Sequence, residues 1–232
     1  MKETDRVPPM KVIAHIRSDF PEKFGIPRQS GLVGALRARV VFTPEFRSPD
    51  ALRGIEDFSH LWLIWEFSES VRDAWSSTVR PPRLGGNTRL GVFATRSPFR
   101  PNPIGLSCVR LLGIERTSGE GTVLIVGGAD LMDGTPIFDI KPYIPYADSH
   151  PDAAGGFADR SADFLLTVHF PPELLARIPE ESRQALLGVL EHDPRPSYQS
   201  NPNRIYGLNF AGYNVRFTVE DKLLTIREVI PI

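Results

Sequence analysis

The sequence holds a single cysteine, Cys108, among 232 residues, so neither a disulfide framework nor a cysteine zinc cluster can form within one chain. Stability must come from an apolar core, and 41% hydrophobic residues in a chain of this length can build one. No apolar run approaches the roughly 18 to 20 residues of a membrane span. The opening stretch MKETDRVPPM mixes both signs of charge and lacks a signal-type apolar core. A soluble protein of a reducing cytoplasm is expected. GxGxxG, P-loop, GxSxG, HExxH and CxxC motifs are also missing, which disfavours a Rossmann-type nucleotide fold and the common hydrolase and redox chemistries. His15, His60, His150, His169 and His192 are scattered without paired ligand spacing, so no metal site is expected. The net charge of -1 excludes a protein that coats nucleic acid by bulk charge.

Charge is nevertheless segregated along the chain. From Arg80 to Gly113 there are six arginines (80, 83, 89, 96, 100 and 110) and no Asp, Glu or Lys, whereas Glu115 to Asp159 is strongly acidic. Arginine throughout favours planar, bidentate recognition of phosphate or carboxylate. The 22 prolines break helices and mark turns. Lys11 to Ile16, Leu36 to Phe42, Leu61 to Phe67, Leu90 to Ala94, Ser107 to Gly113 and Thr122 to Gly127 read as short strands, which suggests a β-barrel or sandwich. Within them Trp62, Trp65 and Phe67 read as core. Gly31 to Arg39 or Pro49 to Ile55 is a candidate short helix. The fold class expected is mainly β, with residues 1–146 as the first domain, 147–160 as a linker or mobile loop, and 161–232 as a small α+β appendage. In the appendage, Phe164 to Phe170 alternates as a strand, and Pro171 to Leu175 and Glu180 to His192 have helical spacing. Val215 to Val219 and Leu223 to Ile230 form a hairpin.

Three constellations can carry chemistry. Arg89 to Ser107, which contains RSPFRPNPIGLS, runs an apolar strand into a loop with clustered Arg, Ser and Asn whose prolines fix φ at three places. Such a loop is preorganised for a polar anionic ligand. Gly128 to Asp148 places Asp133 in a turn and Asp139 inside a strand, where their carboxylates can balance the arginines; Asp130 and Asp133 can equally cap turns. His192-Asp-Pro-Arg-Pro-Ser-Tyr198 holds Asp193 before a proline, away from helical geometry, with its carboxylate expected to project freely.

Taken in order, Phe24 to Gly31 (FGIPRQSG), Ile55 to Trp62, Arg89 to Ser107, Asp133 to Tyr146 and Asp193 to Tyr198 resemble the TrmO (YaeB or TsaA-like) family, over about residues 10 to 217. The family's last motif usually reads DPRPAY, and Ser197 stands here in place of the Ala. The resemblance implies a non-Rossmann methyltransferase on a small β-barrel. It would use S-adenosylmethionine to methylate N6 of threonylcarbamoyladenosine at tRNA position 37, in the anticodon loop, as a homodimer with the cofactor near the subunit interface. Methyl transfer from a sulfonium needs alignment rather than a metal. Arg28, Gln29, Arg96, Ser97 and Asn102 are then expected to hold the cofactor's carboxylate, amino or ribose groups. Leu131 and Asp133 are expected beside its adenosine, with carbonyls, an aromatic such as Phe93 or Tyr146, or a carboxylate facing the sulfonium, and Asp193 taking the N6 proton. Arg80, Arg83, Arg89 and Arg100 are candidates for tRNA phosphates. A noncatalytic RNA- or nucleotide-binding module, or a methyltransferase on another RNA or small molecule, remains open on sequence alone.

Overall fold

The computed structural model describes residues 9–72, 74–81, 88–161, 164–195 and 201–232. Eight strands come from the first part of the chain: β1 (Ala14–Arg17), β2 (Arg37–Phe42), β3 (His60–Glu66), β4 (Thr78–Val79), β5 (Leu90–Gly91), β6 (Ile104–Thr117), β7 (Gly121–Gly127) and β8 (Pro136–Pro142). Six of them pair antiparallel in the order β1-β2-β7-β6-β3-β8, and β8 returns to β1 through Ala14 opposite Ile137, so the ring closes on itself. Closure leaves no unpaired ladder to template aggregation. The period-two alternation decides what fills the ring. Ala14, Ile16, Val40, Phe42, Leu61, Leu63, Trp65, Leu124, Val126 and Ile137 point inward and are buried.

That alternation corrects one expectation. Trp65 is core and Phe67 packs against it with ring centroids 4.3 Å apart, but Trp62 falls on the opposite face of β3, where its Nε1 donates to Asp148 Oδ2 at 3.1 Å. Trp65 lies so close over Gly105 that a Cβ there would sit 2.3 Å from the indole; glycine is the residue that permits this approach. Leu90 to Ala94 is not one strand, since β5 ends at Gly91 and Val92–Ala94 is a 3-10 turn. Neither candidate helix forms: residues 31–35 are turns leading into β2, and Pro49–Leu52 is a single 3-10 turn.

The rest of the chain gives α1 (Pro145–Asp148), a 3-10 turn at Gly156–Ser161, β9 (Thr167–His169), α2 (Pro172–Leu175), α3 (Glu180–Glu191), β10 (Tyr206–Phe210), β11 (Tyr213–Glu220) and β12 (Leu223–Pro231). The strands form a sheet ordered β10-β11-β12-β9, with β9 parallel to β12. Helix α3 starts with Glu180 and Glu181 in its first turn, where the helix dipole favours acids, and buries Ala185, Leu186, Val189 and Leu190 against the sheet residues. This second core is not confined to the C-terminal unit. Phe20, Val33 and Leu36, from the connection between β1 and β2, are buried in it, and Phe20 meets Phe210 edge-on at 5.3 Å. The two units are joined through that connection, which also carries Arg28 and Gln29. Among the described residues no helix is long and apolar enough to cross a membrane.

Candidate functional site

The connection between β1 and β2 is pinned from both sides. On the ring side, Gly31 N donates to Gly128 O at 2.8 Å, and Ser30 Oγ accepts from Cys108 N at 3.1 Å. On the other side, Val33 is pressed against α3 so closely that a Cβ on Gly188 would lie 2.7 Å from it. One turn beyond, His192 Nε2 lies 3.2 Å from Leu32 O. Held this way, Gln29 accepts a hydrogen bond from Arg96 Nη1 through Oε1 and donates through Nε2 to Arg28 O. Arg28 in turn donates from Nη2 to Arg195 O at 3.4 Å. Arg28, Gln29 and Arg96 are therefore brought together from two distant segments.

The same cluster holds a carboxylate. Ser107, fully buried, accepts from Trp65 Nε1 at 3.0 Å and donates to Asp130 Oδ1 at 2.5 Å. Burial pushes the Asp130 carboxyl above its ordinary value, against the opposing pull of the Ser107 hydroxyl, the positive Arg96 and the Ser30 backbone N–H. Asp130 is part-buried, and Arg96 acts on it through its charge without a closed ion pair, so an acid and an arginine lie within electrostatic reach of each other. Sequence reasoning treated Asp130 as an equal candidate for a turn cap. The usable signal was a carboxylate directly after β7, but its partners Ser107 and Arg96 lie far away in the chain.

Asp193 corrects an expectation. It ends α3 with φ 52° and N–H donated to Leu190 O, so it is indeed out of the right-handed helical region. Its carboxylate does not project freely. Arg195 grips it bidentately, Nε to Oδ1 at 2.8 Å and Nη2 to Oδ2 at 3.0 Å, and the Arg195 N–H adds a third bond at 3.2 Å. Side-chain exposure is only 12% for Asp193 and 10% for Arg195, which is why the pair closes; the partnered carboxylate raises the Arg195 guanidinium further above its ordinary value. Asp193 reaches the cluster through the Arg195 carbonyl and Arg28.

The remaining expected residues serve other partners. Ser97 braces its own turn, donating N–H to Thr95 Oγ1 and accepting from Phe99 N at 3.2 Å, and Arg100 is committed to Thr95 O at 3.0 Å. Asn102 is exposed, and its carbonyl accepts from Ile104 N at 2.7 Å. Leu131 is 1% exposed in the ring core, with its carbonyl accepting from Ser18 Oγ. Asp133 accepts from Ser18 N and pairs with Arg17 at 3.5 Å. Tyr146 stands 92% exposed on α1. Asp139 pairs with Lys141 at 3.0 Å rather than with an arginine. Arg89 donates to Thr78 Oγ1, Arg80 is exposed, and Arg83 and Ser197 lie outside the described residues. Among the described residues no group of three or more His, Cys, Asp or Glu is placed to hold a metal ion.

Residues 15–149 match the family model described as the tRNA-methyltransferase O N-terminal domain, and residues 164–232 match that of the TrmO C-terminal domain. The chain belongs to the TrmO family. It is 42% identical over 217 residues to the tRNA (adenine(37)-N6)-methyltransferase of Escherichia coli strain K12, covering 90% of this chain and 92% of that one. It is also 44% identical over 213 residues to a putative S-adenosylmethionine-dependent methyltransferase of Pseudomonas aeruginosa, covering 88% and 90%. A crystal structure of TrmO from Pseudomonas aeruginosa matches with a TM-score of 0.76 at 35% identity, over 97% of this chain and 99% of that one. For this TrmO-family chain, the two matches are separated by residues 150–163, between the short helix α1 and β9.

Proposed function

We propose that this protein transfers a methyl group from S-adenosylmethionine to N6 of threonylcarbamoyladenosine at position 37, in the anticodon loop of tRNA, acting as a cytoplasmic homodimer without a metal ion. The observation that carries the reading is the part-buried Asp130, held by Ser107 within electrostatic reach of the Arg96 that meets Gln29, in a chain of the TrmO family. The methionine end of the cofactor is a zwitterion, so its carboxylate suits Arg96 and Arg28 and its ammonium suits Asp130. Gln29 and Ser30 supply further polar atoms. Ser97 and Asn102 on the turn after Arg96 suit the cofactor's amino or ribose groups, the exposed Tyr146 suits the sulfonium, and Asp133 suits the adenosine, whereas the Leu131 side chain is buried in the ring and can take part only through its backbone. The closed six-stranded ring is the small β-barrel on which these segments are mounted.

When bound, the cofactor supplies an electrophilic methyl on a sulfonium, so the protein's contribution is alignment. The doubly pinned connection carrying Arg28 and Gln29 supports that role, as does the self-braced turn from Thr95 to Arg100. Asp193 is a positioning residue here: its pair with Arg195 sets the carbonyl that Arg28 meets.

Calorimetric titration with S-adenosylmethionine, followed by nucleoside mass spectrometry of tRNA treated with the protein, tests the reading. Saturable binding and new N6-methylthreonylcarbamoyladenosine are expected. Absence of cofactor binding, or tRNA bound without any product, overturns it in favour of a recognition module.

A further inference from the structure

The connection between β3 and β6 leaves large rings in water. Trp75 is 53% exposed, Phe93 73% and Phe99 38%, although Phe93 directly follows Val92, which is 1% exposed. Trp75 and Phe93 face each other with centroids 6.1 Å apart and planes 30° from parallel. Their backbones are fixed independently of the rings: β4 pairs with β5, Val92 N donates to Ser77 O at 2.9 Å, and Arg89 Nη1 donates to Thr78 Oγ1 at 2.7 Å. Lys23 ties the start of the segment down, donating to Glu69 O at 2.6 Å and Ser70 Oγ at 3.1 Å. Beside the pair, the Arg72 guanidinium lies 3.7 Å over the Phe99 ring. Arg72, Trp75, Phe99 and Arg100 line an open hollow of about 250 Å³.

We infer that Trp75 and Phe93, with Phe99 and Arg72 beside them, form a stacking platform for unpaired bases of the RNA substrate. Isolated exposed apolar residues need no explanation, but a fixed cluster of aromatics interleaved with arginines does. Asp73 is the one acid in the sequence from Val71 to Ile114, against seven arginines, so the occupant is an anion with flat apolar faces. Single-stranded RNA has that chemistry, since every unpaired base offers a π face and the arginines meet its phosphates. A duplex hides those faces and presents only its backbone. The inference rests on the tRNA-modifying reading and adds a recognition surface to it.

The test uses the full chain with a labelled tRNA anticodon stem-loop and with a fully paired RNA of equal length, by fluorescence anisotropy across a salt series. Cofactor titration and thermal unfolding run alongside. Trp75→Ala and Phe93→Ala should each weaken stem-loop binding between about fivefold and a hundredfold, with paired-RNA binding, salt slope and cofactor affinity unchanged. Trp75→Phe should retain most of the affinity. Alanine variants that bind the stem-loop like wild type, with methyl transfer intact, overturn the platform alone, as does an equal loss on both RNAs. A wild-type chain that binds neither RNA overturns the parent reading along with it.

Discussion

At the residue scale, Asp130 is costly to the fold and useful to the site. Its carboxyl is raised by burial, so the folded protein binds that proton more readily than the unfolded chain does. The contribution to stability is fully present below the ordinary value of 3.8 and is lost as pH rises through the higher folded value. Asp130→Asn mimics the protonated form. Melting scans should therefore show the variant more stable than wild type at neutral pH, with the gain vanishing in acid. Cofactor affinity should move the other way, falling about tenfold or more in calorimetry because a charge-assisted bond to the ammonium is lost. A variant that is both less stable and unchanged in cofactor affinity would remove Asp130 from the site. Asp193 makes a contrasting case. Asn tolerates its left-handed backbone, so Asp193→Asn isolates the ion pair, and stranding the Arg195 guanidinium should cost about 3 kcal/mol in urea unfolding. As a positioning residue it should weaken cofactor binding while leaving the acidic limb of the kcat profile in place; disappearance of that limb would make it the base after all.

At the element scale, strand β6 shows what a sequence discloses and what it does not. Its centre was legible from alternation, but it runs from Ile104 to Thr117 because its ends pair with β3 and β7, and the register shifts between Leu111 and Gly113. Outward-facing Ile104 and Leu106, and a glycine between them, hide the start. β10 was missed although Tyr206, Leu208 and Phe210 alternate with Gly207 and Asn209, because the run is only five residues long and follows a tract rich in Asn, Pro and Ser; its pairing with β11 marks it as a strand. The motif segments were readable because local chemistry marks them, whereas Asp130 acquires its meaning from Ser107 and Arg96, which only the folded ring brings near. Gly105 is the checkable position in β6. Gly105→Ala drives a methyl into the Trp65 indole and should cost about 1 to 3 kcal/mol, with a shift in tryptophan emission as the Trp65 bond to Ser107 is disturbed. Adding Trp65→Phe should recover part of the loss, because the smaller ring makes room. No recovery would place the strain elsewhere.

At the scale of the whole molecule, the question is whether ring and C-terminal sheet behave as one unit or two. Their sequences suggested separate domains joined by a loop, yet Phe20, Val33 and Leu36 sit in the core beneath α3 and the sheet. The connection that bears Arg28 and Gln29 is thus held by apolar burial on one side and by hydrogen bonds to the ring on the other. Removing one anchor should loosen the site without melting the ring. Phe20→Ala deletes the edge-on contact with Phe210 and should destabilise the protein by about 3 to 5 kcal/mol. In hydrogen exchange, protection should fall across Gly25 to Leu36 and in β10, while β3, β6 and β7 keep theirs. Cofactor affinity should fall with it, because Arg28 and Gln29 lose their fixed backbone. If exchange rises only in the C-terminal strands and cofactor binding is untouched, the two cores are energetically independent and the C-terminal sheet is not what holds the β1–β2 connection in place.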